Sequence, residues 1–404
     1  MITLYTIASE LHKGLPEVRD DAFIRSVEKA VGQSFAYGDD FREFVPEKDL
    51  IFVRTGGTEG VFEALGLKGP IRLLTSGKDN SLAAAMEILA YINANGGRGE
   101  ILHGTPEYIA QRLQKLGVAC GDGACDGKAL SDGVYGGEAI NGRVSGGSGA
   151  GKWLKPLPEL DFGGARLGII GKPSDWLIAS DVDYAKAKAK LNLELVDIDI
   201  EELIRDVKGR KDVDLKSFKG SEAIYDALKG IVTRYGLGGL TIRCFDLLDT
   251  LGNTGCLALA RLNAEGIPSS CEGDVPALIT MMIASRMYGC PGFQCNLSRI
   301  SGDQLLFAHC TVPLSMVRSF SYDTHFESGI GTAIKGEIPE GPVVIMKVAP
   351  DLSCMAAIEA MILRNQSESG LCRTQIIVSA HGAVPYFLTA PLANHHIVVP
   401  NTLL

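Results

Sequence analysis

The sequence predicts an α/β protein that ends in a mainly β domain. Three observations carry this expectation. Strand and helix signals alternate through residues 1–155, the alternation restarts near Pro158, and helical periodicity fades from about residue 288. The domains expected are therefore 1–155, 156–287 carrying Glu272, and 288–404. A chain of 404 residues is too long for one typical core, in keeping with such a division.

In the first domain, Ile2–Ala8, Leu50–Thr55, Ile71–Thr75 and Gly99–His103 read as strands. Between them, SLAAAMEILAYINANG places apolar residues at i, i+3 and i+4 and ends on a glycine, the mark of a packed helix. Alternation of this kind predicts a parallel sheet flanked by helices. The turn Arg54 to Glu59, RTGGTE, follows a strand and opens a helix. It reads either as a place where a ligand meets free N–H groups or as a plain tight turn.

Residues 134–152 are rich in Gly and Ser and read as an inter-domain segment. Gly146 to Lys152 matches GxxxxGK, but Trp153 stands where a phosphate loop needs Ser or Thr, and LKPLPEL is broken by proline. In the second domain Arg166–Gly171, Leu193–Ile198 and Leu240–Phe245 read as strands, and Ser221–Tyr235 as a helix. Ligands of open α/β sheets sit beyond the carboxyl ends of strands, which places Trp176, Arg243 and Asp246 near a site. Trp176 reads equally as a core or interface aromatic. YGLGG at 235–239 precedes a strand, the wrong order for a dinucleotide fingerprint, which argues against a nicotinamide dehydrogenase. Beyond residue 288, Gln304–Val312, Val343–Val348, Thr374–Ser379 and His396–Val399 read as strands.

Composition narrows the function classes. Hydrophobic content of 46% and charged content of 22% suit a globular protein, and a net charge of −9 leaves no basic surplus for nucleic acid. The N-terminus lacks a basic and apolar leader, and the apolar runs fall short of the ~20 residues of a membrane span. Ten scattered cysteines, several in apolar segments, suggest buried free thiols in a reducing cytoplasm. Cys120 and Cys125 have no second pair or nearby histidines to make a zinc site.

Chemistry concentrates at Ile267–Pro313. There Glu272 and Asp274 precede an apolar helical run, and Asn296 and His309 follow. Five of the seven histidines fall from His309 onward: His309, His325, His381, His395 and His396. Carboxylates with imidazoles suit a divalent ion, Mn²⁺ or Mg²⁺, with positions left open for a substrate diol. Each residue also has a plainer reading. Asp274 suits an N-cap, His309 a core histidine, and His381 a turn. Glu272 is harder to explain that way, because an unpaired carboxylate at a strand end is costly to bury.

At CEGDVPALITM, FQCN, FAHCTVP, THFESGIG and ANHHIVV the chain resembles the L-fucose isomerase family, within the group that includes L-arabinose isomerases. The resemblance implies two Rossmann-like α/β domains, a barrel-like C-terminal domain, and a homo-oligomer (trimer or hexamer) with sites near subunit contacts. It also implies Mn²⁺-dependent interconversion of aldoses and ketoses through an enediol. Carried over, Glu272 matches the catalytic metal-binding glutamate, and Asn296 falls where fucose isomerases have an acidic ligand and base. His395 matches a histidine ligand, and His309 a ligand of the arabinose branch. Asp274 joins Glu272 as a catalytic candidate, while Trp176, Arg243, His325, Glu327 and Asn394 are candidates for sugar contact. An amide at 296 can ligate but cannot act as a base. The expectation is thus a cytoplasmic sugar isomerase, with a sugar- or polyol-binding protein of weak or no turnover as the alternative.

Overall fold

The structure is a computed structural model that describes residues 2–9, 15–118, 139–140, 143–144 and 150–403. The Cys120/Cys125 pair and residues 146–149 of the glycine-rich match lie outside the described residues. The fold is mixed α/β, with two parallel sheets and a closed antiparallel barrel of six strands. The chain divides into two compact units.

The first unit comprises Met1–Trp153, Leu297–Leu305 and His381–Asn394. Its sheet holds β1 (Thr3–Ile7), β2 (Ala36–Gly38), β3 (Leu50–Val53), β4 (Pro70–Thr75) and β5 (Arg98–Leu102). All pairs are parallel, in the order β2-β1-β3-β4-β5. The central strand β3, LIFV, is apolar and buried throughout, as expected of a parallel sheet covered on both faces. The helix Ser81–Ala94 is buried along almost its whole length, and its alanines allow close packing. Its one acid, Glu87, is fully buried and accepts the backbone N–H of Asn394 at 2.8 Å.

The second unit comprises Leu154–Asn296, Leu306–Ala380 and His395–Leu404. Its parallel sheet is β7-β6-β8-β9, made of β6 (Arg166–Ile170), β7 (Glu194–Ile198), β8 (Leu237–Ile242) and β9 (Ser269–Ser270). The expected Leu240–Phe245 strand thus begins earlier and stops at Ile242. Gly236, at φ +62°, ends the helix Phe218–Tyr235 just before it, so YGLGG is a helix stop that runs into a strand.

The barrel uses β10 (Phe293–Ser301), β11 (Gln304–His309), β12 (Gly341–Val348), β13 (Cys354–Gln366), β14 (Thr374–Ser379) and β15 (His396–Pro400). The order is β12-β15-β10-β11-β14-β13, and β13 pairs back onto β12 from Val343↔Ala360 to Val348↔Met355, which closes the ring. Within the otherwise β-like C-terminal stretch, Val384–Thr389 is a helix, started by Pro385 in its first turn. Closure explains why β12 is apolar on both faces. Val344, Met346 and Val348 pack on the helix Val275–Tyr288, and that helix packs in turn on Leu167 and Ile169 of β6. Val343, Ile345 and Lys347 occupy the opposite face. Among the described residues no helix is long and apolar enough to cross a membrane.

Candidate functional site

The site forms where β9 ends. Glu272 and Gly273 both adopt left-handed backbone, at φ +65° and +72°, and turn the chain abruptly into the helix Val275–Tyr288. Gly273 has to be glycine, since a Cβ there would stand 2.2 Å from the Lys172 carbonyl oxygen and 2.7 Å from the Pro173 Cα. Glu272 has no such exemption, and a left-handed non-glycine costs on the order of 1–3 kcal/mol. Hydrogen bonds on each side hold it there. The Ser174 N–H donates to the Glu272 carbonyl at 2.9 Å, the Gly273 N–H to Ile242 at 2.9 Å, and the Asp274 N–H to Cys271 at 3.1 Å. Gln294 Oε1 accepts the Cys271 N–H at 2.7 Å.

The turn presents Glu272 to two imidazoles. Its Oε1 lies 3.4 Å from His395 Nε2 and 4.0 Å from His309 Nε2, and its Oε2 accepts the Trp176 indole N–H at 2.6 Å. The imidazole rings meet edge to face, with centroids 5.5 Å apart. Each ring is oriented from behind. His395 Nδ1 is 2.8 Å from Asp274 Oδ2, and His309 Nδ1 is 2.8 Å from Thr311 Oγ1. Asp274 is itself fixed, because Oδ1 caps the helix by accepting the Ala277 N–H at 2.6 Å and Oδ2 lies 3.4 Å from Lys347 Nζ. Both the acid and the lysine are fully buried.

Burial alone would raise the pKa of Glu272, but His395 above all, then His309 and the Trp176 N–H, bring it down to about 2. Burial likewise opposes ionisation of Asp274, yet Lys347 and then His395 hold it at about 2. His395 moves the other way: burial disfavours its charge, and Glu272 with Asp274 overcome this and raise it to about 10. His309 is lowered to about 3 by burial and by the neighbouring His395, so it stays neutral.

No ion is needed to state what this donor set fits. Each imidazole has its Nδ1 engaged, which leaves both Nε2 atoms directed toward one carboxylate oxygen. A carboxylate behind a ligand histidine is the usual support for such ligation. His395 Nε2 and Asn296 Oδ1 are buried with no hydrogen-bond partner among the described residues. Strand alternation puts Asn296 on the same face of β10 as Gln294, whose side chain meets Cys271. Cys271, Glu272 and His309 offer donor atoms within 4.8 Å of one another, a group that could hold a metal ion, and His395 Nε2 lies 3.4 Å from the same carboxylate.

The other expected residues are placed as follows. Trp176 is on Glu272, and its ring meets Phe245 edge-on at 4.8 Å, which meets His325 edge-on at 5.5 Å. Arg243 is engaged by Asp175 at 2.7 Å, Asp246 at 3.0 Å and the Pro173 carbonyl at 2.7 Å, and so ties down the 172–176 loop. Glu327 is half-buried, and its charge acts on His325. Asn394 groups with the first unit. His381 is exposed and pairs with Asp303 at 2.9 Å. Sequence reasoning missed Lys347, Thr311 and Gln294. A single lysine inside the apolar run VVIMKV was the signal, since a buried charge requires a partner.

Fold and site thus define a class: an α/β protein with an antiparallel barrel and a buried carboxylate–imidazole centre at a strand exit. Comparison adds a particular relative. Over 71 residues the chain is 37% identical to the sulfoquinovose isomerase of Clostridium sp. (strain MSTE9). The matched stretch covers 17% of this chain and 16% of that enzyme. No protein-family model matches the chain.

Proposed function

We propose that this protein is a sugar isomerase that interconverts an aldose and a ketose with the help of a divalent cation, Mn²⁺ or Mg²⁺. The observation that carries the reading is the convergence of Glu272 Oε1 with the Nε2 atoms of His309 and His395. The short likeness to an enzyme named for sugar isomerisation supports it. When bound, the cation polarises the sugar's carbonyl and hydroxyl oxygens. Glu272, His309, His395 and Asn296 would hold it. Glu272 Oε2 takes the proton from one carbon and returns it to its neighbour through an enediol, with Trp176 steadying that oxygen. Asp274 has both oxygens engaged, so it acts through His395 as a positioning residue. The two Rossmann-like domains, the three-domain division, a cytoplasmic setting and assembly as a trimer or hexamer belong to the same proposal.

The experiment is incubation of the full chain and Mn²⁺ with an aldose panel that includes L-fucose, L-arabinose and sulfoquinovose, with ketose formation as the readout. Turnover that falls about 10³-fold in Glu272→Gln supports the reading. Wild-type chain that binds Mn²⁺ yet converts no sugar overturns it. That result favours a sugar- or polyol-binding protein, a second reading supported by Asn296 and by a carboxylate held at about 2, far below the range that suits a base.

A further inference from the structure

Two thiols border the centre, and the sugar chemistry uses neither. Cys271 directly precedes Glu272, is 4% exposed, and brings its Sγ within 4.8 Å of donor atoms on Glu272 and His309. Cys244, buried just past the end of β8, places its Sγ 3.0 Å from that of Cys271. The exit of β9 and the end of β11 therefore deliver a sulfur, a carboxylate and an imidazole to one place, and the Cys244 sulfur from the exit of β8 lies against that of Cys271, outside the group of three. His309 has its Nδ1 engaged by Thr311, so its Nε2 is the free donor.

We propose that Cys271, Glu272 and His309 form a binding site for a thiophilic divalent cation of the zinc and cadmium class, with the Cys244 thiol positioning the Cys271 sulfur. Zinc takes four donors tetrahedrally, with sulfur at about 2.3 Å and nitrogen or oxygen at about 2.0–2.1 Å, which sets the donors roughly 3.3–3.8 Å apart. Cys271, Glu272 and His309 hold their donor atoms within 4.8 Å of one another and need draw in by no more than about 1.5 Å to reach that spacing, with a solvent oxygen as the fourth donor. Coordination itself removes the thiol protons. Thiolate donors select zinc over manganese or magnesium, which prefer oxygen. This donor set shares Glu272 and His309 with the oxygen–imidazole set, so one ion excludes the other. Inhibition of turnover by zinc rests on the isomerase reading, whereas the binding does not.

The test uses the full chain, reduced and stripped of metal, titrated first with Co²⁺ and then with Zn²⁺. Cobalt is expected to give a near-ultraviolet sulfur-to-metal charge-transfer band and strong visible bands of a four-coordinate ion, both erased by zinc. Cys271→Ser abolishes the band, Cys244→Ser weakens it, and Cys256→Ser leaves it unchanged. Zinc affinity falls about tenfold or more in either single variant. Circular dichroism screens for misfolding, and Cys244→Ala with Cys271→Ala supplies a second pair should the serines not fold. A wild-type chain that binds Co²⁺ without the sulfur band, or a Cys271→Ser variant that retains it, overturns the proposal. Manganese-dependent turnover is measured separately, so the isomerase reading and the thiol site can fail independently.

Discussion

Two histidines of this protein are equally buried and behave in opposite ways. His103, in the first unit, has its Nδ1 2.9 Å from Thr75 Oγ1 and its Nε2 accepting the Ile300 N–H at 3.1 Å. Burial, reinforced by the charge of Arg299, lowers its pKa to about 4. His395, in the second unit, has a carboxylate at each ring nitrogen and rises to about 10. Burial is common to both, so only the charge of the partners separates a structural imidazole from a reactive one. His309 sits between the two types, neutral like His103 yet directed at Glu272.

The largest effect comes from removing one of the two charges that set His395 apart. Asp274→Asn retains a helix cap but strips Lys347 of its anion and His395 of one of its two, and should destabilise the second unit by about 3–5 kcal/mol in urea unfolding. Equal midpoints for variant and wild type would mean that the carboxylate does not anchor His395. Acid tests the other histidine. The unfolded chain takes up a proton near pH 6.5 that folded His103 refuses until about 4, so stability falls as pH drops through that window. The full loss is about 3 kcal/mol, and hydrogen exchange of β5 amides at stepped pH should show it, with His103→Gln flattening the dependence. In the metal-free chain the contribution of His395 has the opposite sign: it is present below pH 6.5 and lost as pH rises toward about 10.

Smaller changes sharpen the contrast. Trp176→Phe removes one charge-assisted hydrogen bond to Glu272 and should cost about 2–3 kcal/mol in denaturant unfolding. Because Trp153 is the other tryptophan, a Trp153→Phe background leaves Trp176 emission as a direct reporter of the centre. Thr75→Val strips His103 of a neutral partner and should cost only about 1–2 kcal/mol. A Thr75→Val penalty as large as that of Asp274→Asn would erase the distinction between the two histidines.

Much of the architecture was legible because local patterns carried it. Arg166–Ile170 and Thr374–Ser379 show their strand character in apolar, β-branched runs, and Ser81–Ala94 shows its helix in period and stop. The barrel was expected only through the family resemblance, because the pairing of Val343 with Ala360 is a tertiary event that no local period records. The helix Val384–Thr389 is too short to display a period. At the site, Glu272 stood out because its strand-end position demanded a partner. Asp274 is both the expected cap and the anchor of His395, two roles that one sequence position cannot separate. Lys347 escaped notice because a strand lysine normally faces water, and only the barrel turns this one inward.

The missing side chain of Gly273 has a mechanical result. With the Lys172 carbonyl pressed against that position and the Ser174 amide clasping the Glu272 carbonyl, the 172–176 loop and the acidic turn are tied together. Arg243 bolts the outer side of the same loop to Asp175 and Asp246. Where the carboxylate aims is thus geared to a guanidinium that never touches it, and loosening that bolt would swing the acid away from its imidazoles without altering a single group at the centre.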